Sequence, residues 1–220
     1  MGTLRTGQTM LIPMMWLIWI GALGGCGWPG PNGSIRVEAH RAGAGYWPGN
    51  SAIALENSIY SDYDGVEIDL LLSADDVPIL NHDPYLDSDE CTTSLYSPLR
   101  DEIRIRDLTA QELRDGFLCG GLPNPEHPNA GLLSAPLMTF DEAISALELA
   151  SPDLFVHLDV KVEEPLTAPA ELSAKAILER WVEADLPNPW LVSANQGDTL
   201  LAFKSVGSEL GIDVLTQLIL

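Results

Sequence analysis

The sequence predicts an α/β fold built on a parallel sheet. From Ser34 onward, short and almost wholly apolar runs alternate with amphipathic segments. Strands apolar on both faces belong to parallel sheets that helices cover. With 220 residues, 46% of them apolar, the chain is long enough to bury a sizeable core. Its net charge of −21 excludes nucleic-acid binding through a basic face. The same charge makes an anionic substrate demanding, because cations must then be gathered locally.

The N-terminus stands apart from that fold. Residues 1–25 carry one arginine, an apolar stretch from Met10 to Leu23, and then small residues, the layout of a secretory signal. The stretch falls short of the ~20 apolar residues that a membrane span needs. It runs into Leu23-Gly24-Gly25-Cys26, which resembles the bacterial lipoprotein signal, where the cysteine becomes the lipidated N-terminus. A lipid on Cys26 would hold the protein on a membrane, facing the periplasm or the cell exterior. Residues 26–34, rich in Gly and Pro, read as a tether. In an oxidising compartment Cys91 and Cys119 are candidates for a disulfide.

The domain itself spans 35–220. "IRVEAH" reads as a strand and "SAIALENSIYSD" as a helix. "GVEIDLLLS" and "VPILNH" read as two more strands, joined by the polar turn Ala74-Asp75-Asp76. Residues 84–135 lose this regularity and read as an insertion, with one helix at "TAQELRDGF", where Thr109 and Glu112 form a capping box. Regular alternation then returns. "TFDEAISALELAS" is a helix capped by Thr139, "LFVHLDVKV" a strand, and "APAELSAKAILERWVEAD" a helix. "PWLVSAN" is a strand, "GDTLLAFKSVGSEL" a helix capped near Asp198, and "IDVLTQLIL" opens a sixth strand.

Parallel α/β proteins place their chemistry at the C-terminal ends of strands. The first strand delivers His40 and Arg41 there, the second Glu67 and Asp69, the third His82 and Asp83. The fourth delivers Asp159 and Lys161, the fifth Ser193 and Asn195. Glu67 and Asp69 are two residues apart and share a face, as do Asp159 and Lys161. Converging buried carboxylates are costly without a cation. Glu67, Asp69 and Asp159 form an all-oxygen set suited to Mg²⁺ or Ca²⁺; the duller alternative for Asp159 is a structural salt bridge to Lys161 or Arg41. His40 and His82 are placed to act as general acid and base. Arg41 and Lys161 supply charge for a phosphate. His157 reads as a structural layer beneath the site, and His127 as an exposed loop residue.

The run "AHRAG", "ENS", "GVEIDL", "VPILNHDPYL", "LT…EL", "PLMTFDEAI" and "VHLDVK" resembles, in that order, the glycerophosphodiester phosphodiesterases, within the PI-phospholipase C-like TIM-barrel phosphodiesterases. The resemblance spans about Ile35 to Lys161. It implies a TIM (β/α)8 barrel that hydrolyses small glycerophosphodiesters to glycerol 3-phosphate and an alcohol with a divalent metal. It implies His40 and His82 as the acid/base pair and Glu67, Asp69 and Asp159 as metal ligands. Arg41 and Lys161 would lie near the phosphate, with Glu56 and Asn57 in support, and the insertion would cap the barrel mouth.

The chain departs from that pattern in places. Ala42 stands before Gly43, where the family has His-Arg-Gly. Leu55, not Pro, precedes Glu56 and Asn57. Asp159 replaces a common Glu. Only about six of eight strands are visible, so the barrel reads as truncated. Two other functions fit less of the pattern: a sphingomyelinase D-like lipid phosphodiesterase or lyase, which shares an "LDVK" arrangement, and a non-catalytic surface lipoprotein.

Overall fold

The computed structural model describes residues 36–125 and 127–219. The signal segment, Cys26 and the whole 26–34 tether therefore lie outside the described residues. In chain order the elements are β1 (Glu38–Ala39), α1 (Ala52–Ile59), β2 (Gly65–Leu72), β3 (Pro78–Leu80), β4 (Cys91–Thr93), α2 (Ala110–Gly116), β5 (Phe117–Cys119), α3 (Phe140–Leu147), β6 (Phe155–Val160), α4 (Ala170–Ala184), β7 (Trp190–Ala194), α5 (Gly197–Leu210) and β8 (Thr216–Leu218). The main sheet runs β1-β2-β6-β7-β8, every neighbour parallel, with β3 antiparallel on β2. Among the described residues β1 and β8 do not pair, so the sheet is an open, partial barrel.

Local chemistry accounts for the helix starts. Ser51 accepts a hydrogen bond from the Ala54 amide ahead of α1. Thr109 with Glu112, and Thr139 with Glu142, close two full capping boxes. Helix α5 differs from expectation: Gln196 is its N-cap without a side-chain cap bond, and Asp198 sits inside the first turn, where the helix dipole favours it.

Two corrections concern strands. The third strand was expected to extend the parallel sheet, but β3 turns back on β2, pairing Leu70 with Leu80 and Leu72 with Pro78. Residues 73–77 are too few for a parallel crossover, which needs a dozen or more. Only a hairpin closes the gap, with the Ser73 amide on the Val77 carbonyl at 3.0 Å. Residues 84–135 are also less irregular than expected. They hold β4 and β5, paired antiparallel, as well as α2.

The two faces of β2 explain the layering. Val66, Ile68 and Leu70 pack in the main core with Leu55, Phe140, Ile177, Leu178 and Phe203 from the helices. Glu67, Asp69 and Leu71 share the other face. Leu71 belongs to a second cluster with Ile79, Ile105, Leu113 and Leu137. Part of the insertion, through Ile105 and Leu113, therefore packs on the face of β2 that carries the two acids. Stacking of Phe140 on Trp181 at 6.2 Å ties α3 to α4. Among the described residues, no helix is long and apolar enough to cross a membrane.

Candidate active site

Arg41 begins the site. After β1 the chain enters a tight turn in which Arg41 (φ 47°), Ala42 (φ 58°) and Gly43 (φ 115°) are all left-handed. Such backbone is costly for residues with a Cβ and persists only where its surroundings enforce it. Here Ser58 Oγ bonds the Ala42 carbonyl at 2.7 Å, and the Arg41 amide bonds Glu67 Oε2 at 2.6 Å. The residue inserted before the glycine is thus absorbed by this turn.

Strands β2 and β6 pair Asp69 with Asp159 in register, and Glu67 with His157. Glu67, Asp69 and Asp159 each present an oxygen within 4.8 Å of the others. All three are buried, at 7%, 1% and 7% exposure. Lys161 Nζ bridges Asp69 Oδ1, at 2.9 Å, and Asp159 Oδ2. Ser193 Oγ donates to Asp159 Oδ1 at 2.9 Å. Arg41 Nε lies 3.7 Å from Asp69 Oδ2.

The charges respond to this crowding. Burial, then Asp69 and Asp159, push Glu67 up to about 8, against the pull of the Arg41 amide. Burial pulls the Lys161 ammonium down, but Asp69 and Asp159 outweigh it and the group is raised. Burial and the Arg41 charge lower His40. The cluster fits a hard divalent cation: its donors are all oxygens, and Glu67 Oε1 is buried without a hydrogen-bond partner.

His40 Nε2 is 4.0 Å from Glu67 Oε2, with the side chain 66% exposed. His82 Nδ1 meets Asp83 Oδ1 at 2.9 Å. His82 and Arg41 line a cavity of about 410 Å³, together with Asn50 and insertion residues that include Cys91 and Cys119. These cysteines pair opposite one another on β4 and β5 and form a disulfide. The structure therefore gathers His40, Arg41, Glu67, Asp69, Asp159 and Lys161, with His82 across the cavity.

It does not bring Glu56 or Asn57 there. Glu56 is exposed on α1, and Asn57 bonds the Ile53 carbonyl of its own helix at 2.7 Å. The supporting asparagine is Asn50. Its Nδ2 donates to Asp69 Oδ2 at 2.8 Å and its Oδ1 accepts from the Asp69 amide at 3.1 Å. The sequence signal for it was Pro48-Gly49-Asn50-Ser51: a proline two residues before an asparagine, just ahead of the α1 cap. A Cβ at Gly49 would stand 3.1 Å from that of Arg41, so a glycine lets the two segments meet. His127, expected to be an exposed loop residue, is instead half-buried and lines the cavity.

Comparison with known proteins places this geometry. A sequence model described as the glycerophosphoryl diester phosphodiesterase family matches residues 40–217. An uncharacterized protein of Mycobacterium tuberculosis is 31% identical over 135 residues, which are 59% of this chain and 40% of that protein. A glycerophosphodiester phosphodiesterase of Bacillus altitudinis is 24% identical over 182 residues, 83% of this chain and 66% of that one. In fold, the chain is similar to a Silicibacter pomeroyi protein described as a glycerophosphoryl diester phosphodiesterase: TM-score 0.75, 17% identity, 83% of this chain and 63% of that one. An Oleispira antarctica phosphodiesterase, in complex with the product sn-glycerol-3-phosphate, gives a TM-score of 0.62 at 24% identity over 79% of this chain and 63% of that one. The chain thus spans well under the full length of most of these relatives. With its acids, histidines and arginine placed by the same strands that the family match covers, the chain belongs to the glycerophosphoryl diester phosphodiesterase family.

Proposed function

We propose that the protein hydrolyses glycerophosphodiesters to glycerol 3-phosphate and an alcohol, using Mg²⁺ or Ca²⁺ held by Glu67, Asp69 and Asp159. The observation that carries this reading is the buried three-carboxylate cluster, one oxygen unpartnered, joined through Arg41 to the cavity that His82 lines. A bound cation supplies Lewis-acid polarisation of a phosphoryl oxygen.

The chain's own residues do the rest. Arg41 faces the cavity, its Nε close to Asp69 Oδ2 but making no hydrogen bond, and its guanidinium takes a phosphate oxygen. Lys161 adds positive charge from the acid cluster. His40, which partial burial and the Arg41 charge lower from the usual imidazole value, accepts the proton of the attacking hydroxyl or water. His82 is oriented by Asp83 through Nδ1, which leaves Nε2 to protonate the departing alkoxide. The product named for the Oleispira antarctica neighbour is the one this reading requires.

The test is hydrolysis of glycerophosphocholine and related diesters with and without Mg²⁺ or Ca²⁺, beside a His40→Ala control. Cation-dependent release of glycerol 3-phosphate that the control lacks is the expected result. A folded chain that cleaves no diester under either ion would remove the reading. The same proposal sets the enzyme on a membrane through a lipid at Cys26. Fatty-acid label should enter the expressed protein and be lost in Cys26→Ala; label retained in that variant would place the anchor elsewhere.

A further inference from the structure

Beneath the acid cluster, a chain of polar side chains crosses the sheet, and the chemistry proposed above makes no use of it. Glu38 Oε2 lies 3.1 Å from His157 Nδ1, and His157 Nε2 lies 2.6 Å from Ser193 Oγ. Ser193 Oγ then donates to Asp159 Oδ1 at 2.9 Å. His157, Ser193 and Asp159 are all buried. A hydroxyl has one hydrogen, so a serine that donates to Asp159 accepts from His157, and His157 Nε2 carries the hydrogen. The Glu38 carboxylate can only accept, so Nδ1 donates to it as well, and the ring in this chain carries both hydrogens.

The sheet is built to let this chain form. Glu38 is on β1 and His157 on β6, with β2 between them. Gly65 is the β2 residue paired with Glu38. A Cβ there would stand 3.1 Å from Glu38 Cγ and 2.8 Å from the Phe155 carbonyl. Without a side chain at Gly65, the Glu38 carboxylate passes over β2 to reach the histidine. On the far side, Ser193 is the β7 residue in register with Asp159.

We infer that Glu38, His157 and Ser193 are positioning residues for the cation site: they hold Asp159 by Oδ1 so that Oδ2 stays turned toward Asp69. The Lys161 ammonium, which bridges Asp159 Oδ2 and Asp69 Oδ1, shows that Oδ2 has this orientation. An aspartate pinned at one oxygen loses the freedom to rotate its carboxylate away from an incoming ion. Groups that orient a ligand in this manner govern metal affinity. This inference rests on the cation-site reading above.

Calorimetric titration of the full chain with Mg²⁺ and with Ca²⁺ tests it, with thermal unfolding of each cation-free variant measured alongside. Ser193→Ala should weaken binding about 10- to 100-fold. Ser193→Thr, which keeps the hydroxyl, should restore most of that affinity. Glu38→Gln should weaken binding less, and combining it with Ser193→Ala should add nothing further, because Glu38 acts through the serine. A role in packing alone would lower the unfolding temperature and leave the affinity unmoved. If Asp159→Asn loses binding while Ser193→Ala keeps it, the positioning inference is overturned and the cation site stands. Equal losses in Ser193→Ala and Ser193→Thr, or additive losses in the double variant, also overturn it. If Asp159→Asn binds like the parent, the cation-site reading fails and takes this inference with it.

Discussion

Burial beside Asp69 and Asp159 holds the Glu67 carboxyl at about 8, against 4.5 in water, so the cation-free protein keeps it protonated at neutral pH. Its folded value lies above its unfolded one. The stability that this group contributes is therefore full below about pH 4.5 and lost as pH rises through about 8. A cation requires the carboxylate, so binding below that range must expel the proton. Affinity should rise by roughly tenfold per pH unit up to about pH 8 and level off above it. Calorimetry near pH 6.5, in two buffers of different ionisation enthalpy, should find about one proton released per ion. In Glu67→Gln that release should vanish. No proton release in the parent protein would mean that Glu67 is not a ligand. Glu67 and Asp69 could be read from the sequence because they fall two apart in a strand whose other positions are apolar. Asn50 is marked only by the Pro48-Gly49 before it: its two bonds to Asp69 depend on a left-handed backbone, φ 54°, which the side chain itself does not announce.

What period alone reveals sets how much of each element was legible. Strands β2 and β6 are long and apolar enough to stand out, and the capping boxes of α2 and α3 mark their own starts. The direction of β3 is also written in the sequence: the short polar turn Ala74-Asp75-Asp76 has length for a hairpin and none for a parallel crossover. Strands β4 and β5 have three residues each, too short for any pattern, and are held by pairing across 28 residues of chain. The Cys91–Cys119 disulfide joins them at one register pair, and both cysteines line the cavity. Closing a loop of that length stabilises by about 3.5 kcal/mol in the chain-entropy model. Reduction, or Cys91→Ser with Cys119→Ser, should lower the unfolding temperature by roughly 10 °C. Since the bridge shapes the cavity wall and touches none of the reacting groups, KM should rise more than kcat falls. Calorimetry and steady-state kinetics with and without reductant check both effects. A fall in kcat at unchanged KM would show that the insertion governs the chemistry itself.

At the scale of the whole molecule, a net charge of −21 surrounds a site proposed to take an anion. The protein's field acts in opposite senses on the two species that must enter: it repels a phosphodiester and draws in a divalent cation. Arg41 and Lys161 offset this only nearby, and Lys161 is already bridged to Asp69 and Asp159. The field reaches about 30 Å at 0.01 M salt and about 10 Å at 0.1 M. Raising sodium chloride from about 10 to about 150 mM therefore screens the long-range repulsion while leaving the short contacts at Arg41 largely intact. At saturating cation, kcat/KM for an anionic diester should increase over that range, and the cation Kd should weaken over the same range. Both are read from titrations at fixed pH. The opposed signs are the informative feature, since a general effect of salt on folding would move the two together. A kcat/KM that falls with salt would mean that the encounter is steered by the local cations at the mouth, and that the acidic surface lies too far away to be felt there.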